Sequence, residues 1–472
     1  MTDEPRAEAG EEGSPKRVGK LISNAAAMLA FSNLARAGSY LLPVPLLYLI
    51  STPAAAFWLL ATTLISLQNL LFLGAPQILV RMLAVANSGA EHSDKEASLG
   101  DLAKLMRLVF TAASIVITLL MLTAGSAAIA NLAGQTDQPL AAWSCWLILA
   151  LGTPLRIMIL SHLTFLNGIG EIARPRLEDA IAWTVSGILA AIVLAVTQSL
   201  MLMALATLLP IAVSATLLRR MAGQSGWETA LSEPASLPLR KVAKQVWAPC
   251  WRAGLGALLS TGSRQGGGVA LAQLASPAVA AGYLLAQNII SVIMMLSAAP
   301  MQSVLHQMAV HFARAETARH VSLAEKARAR SLWAAAVLAG LVAVALPLLN
   351  SFNWSEALPS SGIWALLALG LFLQRYGAAH LQHYTITNHV VWHWLDGISG
   401  VINILLCIAL ITSFGGEGAA AAYLISMIPV YAWVPSYLTT KRFDISWAKN
   451  ELKTSLFPFI LLISTLIVGN LL

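Results

Sequence analysis

Stretches of about 20 consecutive, mostly apolar residues follow one another along nearly the whole chain. A helix of that length crosses a hydrocarbon core of about 30 Å, and in lipid the backbone must satisfy its own hydrogen bonds. A chain built of such stretches is a helical, polytopic membrane protein, and a barrel is disfavoured. The composition agrees, with 57% hydrophobic and 11% charged residues and a mean hydropathy of +0.72. The apolar pattern predicts helices at residues 21–50, 54–85, 105–127, 140–166, 178–196, 200–220, 246–274, 279–306, 329–350, 361–384, 390–413, 418–440 and 454–472. Twelve are full spans and the last is short. Residues 1–20 are polar, acidic first and basic at the end, and read as a disordered cytoplasmic tail. The run behind Lys20 is too long for the apolar core of a signal peptide, so the first helix is expected to remain.

Lysine and arginine fall into alternate gaps. One set holds Lys16, Arg17 and Lys20; Lys95 and Lys104; Arg174 and Arg176; Arg219, Arg220, Arg240, Lys241 and Lys244; Arg314, Arg319, Lys326, Arg328 and Arg330; and Lys441, Arg442, Lys449 and Lys453. The other set, near residues 51–53, 128–139, 197–199, 275–278, 351–360 and 414–417, holds none. Basic loops stay on the cytoplasmic side. The pattern therefore places the N-terminus in the cytoplasm of a multi-pass inner (plasma) membrane protein, with the gap at 385–389 the exception in lacking positive charge. The +7 net charge belongs to topology, and no nucleic acid partner is expected. Trp58, Trp143, Trp146, Trp354 and Trp364 lie near the uncharged gaps, where indole rings are expected at the membrane interface. Those gaps are short, which argues against an outward-facing catalytic domain, and the chain is not expected to be an enzyme.

An internal repeat is visible. A shift of 228 places Ser32, Arg36 and Gly38 on Ser260, Arg264 and Gly266. A shift of 218 places WLILALGTPL from Trp146 on WALLALGLFL from Trp364, His162 on His380, and Leu177-Glu178 on Leu395-Asp396. Gln68-Asn69 before Ala75-Pro76 is echoed by Gln287-Asn288 before Ala299-Pro300. The expected fold is all-α, with 12–13 transmembrane helices in two parallel-repeat six-helix halves, V-shaped around a central cavity. The expected divisions are a tail at 1–20, a half at 21–220, a cytoplasmic linker rich in Ser, Pro and Gly at 221–245, a second half at 246–440, and a cytoplasmic loop with a terminal helix at 441–472.

Arg36, Arg156, Arg264 and Arg375 lie well inside predicted spans, whereas Arg81 and Arg252 are near enough to the ends to snorkel. A charge near the bilayer centre costs about 2.5–3.5 kcal/mol even on the lenient scale, so it faces a partner or a wet cavity. The carboxylates sit in gaps or, as with Glu178, Asp179 and Asp396, at span entrances. Deep arginines without deep acids point to a cavity at positive potential and an anionic guest, because guanidinium forks suit phosphate and stay charged. The competing reading is that each arginine caps carbonyls at a helix break, such as the one expected near Pro43 and Pro45. Pro76, Pro154, Pro210, Pro300, Pro347 and Pro429 mark further candidate breaks.

His380, His383, His389 and His393 have helical spacings that can gather metal ligands, but polar residues at the membrane interface explain them better, and no metal is expected. His162 and His380, matched by the repeat, are candidates to carry a coupling proton. Cys145, Cys250 and Cys407 stand alone in apolar context and suggest neither disulfides nor a metal pattern. No phosphate-binding Walker A pattern is present and no cofactor is expected.

With LQNLLFLGAPQILVRMLA in the second span, FLNGIGEIARPRLEDA after the fourth and AAGYLLAQNIISVIMMLSAAPMQSVL in the eighth, the chain resembles the bacterial polysaccharide (Wzx-like, O-antigen) flippases of the multidrug/oligosaccharidyl-lipid/polysaccharide exporter superfamily. The resemblance runs from about Val18 onward. It implies movement of an undecaprenyl-pyrophosphate-linked oligosaccharide from the cytoplasmic to the periplasmic leaflet, for polysaccharide biosynthesis. Arg36 and Arg264, with Arg375 and Arg156 behind them, would hold the pyrophosphate. Partners would be the lipid-linked substrate, membrane lipids and polysaccharide polymerase or export machinery. The thirteenth span departs from the even counts common in that family. Lipid II presents the same headgroup and is the nearest chemical alternative. A multidrug cation exporter of the superfamily would be expected to carry an acid within its N-terminal half, and spans one and two have none. A glycan polymerase or ligase would be expected to have a long polar outer loop.

Overall fold

A computed structural model of the protein describes residues 28, 31–72, 74–87, 97–349, 358–387 and 391–472, with the side chains of some helical residues, Arg252 and Arg264 among them, outside the description. Every regular element among the described residues is a helix. Proline explains the first break: α1 (31–41) gives way at Pro43 to α2 (Val44–Ile50). The second span is α3 (Thr52–Leu67), a 3₁₀ turn (Gln68–Phe72) and α4 (Ala75–Asn87). The third is α5 (Leu99–Leu120), a π turn (Met121–Gly125) and α6 (Ser126–Gly134). The fourth is α7 (Pro139–Leu151) and α8 (Thr153–Gly168), and α9 (Ala173–Thr197) and α10 (Leu200–Gln224) complete the first half.

A short helix, α11 (Trp227–Ser232), lies within the segment read as a linker; it buries Trp227 and Ala230. The second half opens with α12 (Leu239–Leu274), α13 (Pro277–Ala313), α14 (Thr317–Leu349) and α15 (Ser361–Tyr384). Next comes α16 (Trp392–Tyr431), whose 40 residues would reach about 60 Å if straight, twice the hydrocarbon core. It is two spans: Gly415 leaves the helical path at φ 53° and ψ −127°, in a region that glycine adopts readily. After α17 (Val434–Phe443), the amphipathic α18 (Trp447–Thr454) meets the apolar α19 (Leu456–Leu471) at a 47° bend. Among the described residues, 8 helices, or 9 with that bent pair, are individually long and apolar enough to cross a membrane. The second and seventh spans fall short because breaks or polar residues interrupt them, the start of the first lies outside the described residues, and the α16–α17 segment joins two spans. The chain is a multi-pass, all-α membrane protein.

The repeat has a structural counterpart. Trp146 of α7 is fully buried and donates to Ser126 Oγ of the preceding span at 2.9 Å; its repeat partner Trp364 of α15 is 1% exposed and donates to the Ala339 carbonyl of its own preceding span at 3.1 Å. Trp58, also fully buried, donates to the Tyr40 carbonyl at 2.8 Å. This corrects the expectation that these three rings lie at the membrane interface: a buried indole is stable once its N–H finds an acceptor. Trp354 lies outside the described residues.

Two large apolar cores follow the two halves. One is built on spans one to six, the other on α14, α15 and α16. Helix α12 serves both, with Val242, Val246, Cys250 and Ala272 in the first core and Leu271 in the second. At the end of the bundle that carries the uncharged gaps, Asn131 of α6 donates to the Ala272 carbonyl at 3.0 Å, and Gln273 donates back to the Ala128 carbonyl.

A candidate anion site and an apolar cavity

Arg36 shares one face of α1 with Ser32 and Ser39, at the (i, i+4) and (i, i+3) spacings that align side chains on a helix. That face packs on α9. Gly187 permits the approach, since a Cβ there would stand 2.6 Å from Ser39 Cα. The packing brings Arg36 Nη2 to Asp179, 3.1 Å from Oδ2 and 3.3 Å from Oδ1. Ser32 Oγ and Trp183 Nε1 donate to the same carboxylate, and the guanidinium carbon lies 5.0 Å from the Trp183 ring centroid.

The expectation that no carboxylate stands at the depth of Arg36 is therefore corrected. Apolar runs place Asp179 at a span entrance, but α9 starts at Ala173, so Asp179 lies roughly 9 Å inside the helix. Its side chain is fully buried, whereas 29% of the Arg36 side chain is exposed. Both contacts use Nη2, and Nε has no partner. Arg176, one turn before Asp179, supplies a second guanidinium in electrostatic range of both groups. The cluster of two arginines and one aspartate keeps a net positive charge.

The other deep arginines occupy different surroundings. Arg156 Nη1 bonds the Leu149 carbonyl at 2.8 Å, across the α7–α8 break before Pro154, so it caps a carbonyl freed by the break. Arg375 is 2% exposed and donates to Gln382 Oε1 at 2.7 Å within the second half. Nothing of a ligand's size reaches it in this conformation. Arg264 lies on α12, and its side chain falls outside the description. Its neighbour Gln265 donates to Ser66 Oγ of α3 at 3.2 Å, which ties the halves together at this level.

The two repeat-related histidines do not meet and have unlike settings. His162 is 6% exposed beside Trp227, and its ring bonds the Met158 carbonyl one turn earlier. His380 is fully buried, with Nδ1 3.3 Å from Arg328 Nη1 and Nε2 3.3 Å from Glu451 Oε1. Arg328, read from sequence as a loop charge, is 1% exposed and also bonds Asn450 and Thr454, which fastens α18 to α14 and α15. The sign that would have found it is the helix-compatible sequence upstream of residue 329, where α14 continues back to Thr317. His383 Nε2 lies 2.8 Å from His320 Nε2, and its ring stacks on Phe443 at 4.4 Å. Among the described residues, no group of three or more His, Cys, Asp or Glu is placed to hold a metal ion.

Between the halves lies a cavity of about 780 Å³. Leu64 of α3, Met121 of the π turn, Leu259 and Gly266 of α12, and Ile404 and Ile408 of α16 line it, so both halves contribute and the lining is almost wholly apolar. A π turn at a cavity wall is a common functional placement. The space suits hydrocarbon, while the arginine cluster on α1 and α9 suits an anion.

No family model matches the chain, and no curated protein matches its sequence. Solved structures do match its fold. "Lipid II flippase MurJ, inward closed conformation" superposes with a TM-score of 0.62 at 14% identity, over 96% of this chain and 98% of that one. The MATE multidrug transporter DinF-BH in complex with R6G also gives 0.62, at 13% identity over 92% and 98%. A MOP superfamily transporter from Pyrococcus furiosus, whose title reports reverse polarity of its binding pocket, gives 0.56 at 14% identity over 90% and 96%. The chain shares the fold of these transporters over at least nine-tenths of its length.

Proposed function

We propose that the protein is a flippase that carries a polyprenyl-pyrophosphate-linked glycan across the membrane by alternating access. The observation that carries this reading is the apolar cavity walled by helices of both halves, which fits a substrate with a hydrocarbon tail. The net positive cluster of Arg36, Arg176 and Asp179 supports an anionic headgroup. The basic end of the bundle faces the cytoplasm in this reading, with the protein in the inner membrane and the N-terminus inside. Arg36, from the first half, and Arg264, its repeat partner on α12, bind the pyrophosphate. Arg156 and Arg375 hold the surrounding helices. The halves 21–220 and 246–440 rock about the segment 221–245 while the tail stays in lipid.

The glycan is an undecaprenyl-linked oligosaccharide for polysaccharide export, handed on to polymerase machinery. Lipid II, named in the matching flippase structure, presents the same pyrophosphate and is an equally supported cargo. Export of cationic drugs is disfavoured because the two buried acids of the first half are already engaged, Asp179 by Arg36 and Asp101 by the backbone N–H groups of Ser98 and Ser236.

The test is lectin access to a lipid-linked glycan in vesicles that contain the purified protein. Exchanging Arg36 and Arg264 together for Gln removes charge-assisted contacts worth about 1.5–3 kcal/mol each, so transfer is expected to slow at least about tenfold. Transfer at the unaltered rate by the double variant rules out the headgroup assignment. Transport of a cationic dye with no glycan transfer rules out the flippase reading.

A further inference from the structure

The first half carries a second recess, on the side that faces lipid. Helices α5 and α10 both pack on α8 but barely touch each other, which leaves a groove of about 420 Å³ between them. Leu108 and Ile115 of α5 and Leu209 and Val213 of α10 are exposed on its two flanks, as lipid-facing side chains should be. The floor is α8, apolar at Pro154 and Ile157 and polar at His162. At the basic end of the bundle α11 closes the groove with Trp227 and Glu228.

Two arginines face this space. Arg107 lies roughly 12 Å into α5 from Leu99, and Arg219 lies five residues before the end of α10. Among the described residues neither makes a hydrogen bond or ion pair, although both stand at the edge of an apolar surface, where a charge needs a counter-ion. His162 lines the groove as well, but it is more than nine-tenths buried and its ring is bonded to the Met158 carbonyl one turn earlier, so the two guanidinium groups carry the groove's charge. Glu228 is the one acid in the lining, so the groove keeps a positive balance.

We propose that this groove binds an anionic phospholipid of the leaflet at the basic end. The phosphate sits between Arg107 and Arg219, and an acyl chain lies along Ile157 and Pro154 toward the bilayer centre. Because α11 closes the groove and belongs to the connection between α10 and α12, the lipid braces the link between the two halves. The site is separate from the apolar cavity and does not depend on which cargo that cavity takes.

Native mass spectrometry of the full-length, delipidated protein tests this by titration with phosphatidylglycerol or phosphatidylcholine. Phosphatidylglycerol is expected to be retained more strongly. Arg107→Gln with Arg219→Gln lowers its retention about tenfold, the loss of one or two charge-assisted contacts. Ser114→Trp fills the groove without changing charge and lowers retention as well, whereas Glu228→Gln raises it by removing the opposing charge. Each variant is first checked for an unchanged melting temperature without lipid; should the double arginine variant unfold, the Ser114 and Glu228 variants decide. Equal retention of the two lipids, or unchanged phosphatidylglycerol retention in the folded variants, overturns the proposal. Displacement of the lipid by inorganic phosphate at matched concentration overturns it in favour of a free-phosphate site.

Discussion

At the scale of the residue, Arg36 is held by an acid that lies 143 positions away in the chain. Breaking a fully buried pair costs about 3–5 kcal/mol because the remaining charge is stranded. Arg36 is partly solvated while Asp179 is not, so Arg36→Gln should destabilise by about 2 kcal/mol. Asp179→Asn keeps one side-chain oxygen for Trp183, and its amide N–H can donate to Ser32 Oγ, so it should cost less, and the double variant should be milder than the sum of the singles. Chemical unfolding in detergent micelles measures all three, and strict additivity would show that the pair is not coupled. The depth of Arg36 was legible from the apolar run around it, but its partner was not. Arg174, Arg176 and Glu178 make the start of α9 look like a loop, because hydropathy reports the apolar run, whereas a helix continues past it wherever its backbone bonds permit. The same effect hid Arg328. Its exchange for Gln should loosen α18, seen as faster hydrogen exchange at residues 447–454 with little change in α15; equal protection would show that α18 is held by its apolar face alone.

At the scale of the element, the breaks at Pro43, Pro76 and Pro154 were readable in advance, whereas α10, α13, α14 and α16 run on through Pro210, Pro300, Pro347 and Pro429, which corrects the expectation of breaks there. Pro43 ends α1, and Pro154 follows the α7–α8 break that Arg156 caps. The close passage of α1 over α9 was not readable, because nothing local marks Gly187 as a contact point. A methyl group there would meet Ser39 Cα at 2.6 Å. Gly187→Ala is expected to lower stability by about 1–3 kcal/mol through overpacking, and to weaken the Arg36–Asp179 contact with it. An unchanged midpoint in the same unfolding experiment would mean that α1 shifts freely. The tryptophans teach a related lesson: Trp146 and Trp364 recur at matching positions, and that periodicity marks a shared packing role as readily as a membrane boundary.

At the scale of the whole molecule, the repeat was legible in side chains at corresponding positions: Trp146 and Trp364 are both buried and both donate to the preceding span, though to different kinds of acceptor. How the halves sit together was not, since it rests on long-range packing along α12 and α13, which both contribute to the two cores. In this conformation they are fastened at the uncharged end by the bonds between α6 and α12. A flippase that works by alternating access must open that junction. The decisive measurement is glycan transfer by protein carrying Asn131→Cys and Ala272→Cys, with Cys145, Cys250 and Cys407 replaced by Ala, joined by a short cleavable thiol cross-linker. The account predicts that transfer stops on cross-linking and returns on cleavage, while transfer at the full rate by the cross-linked protein would contradict it.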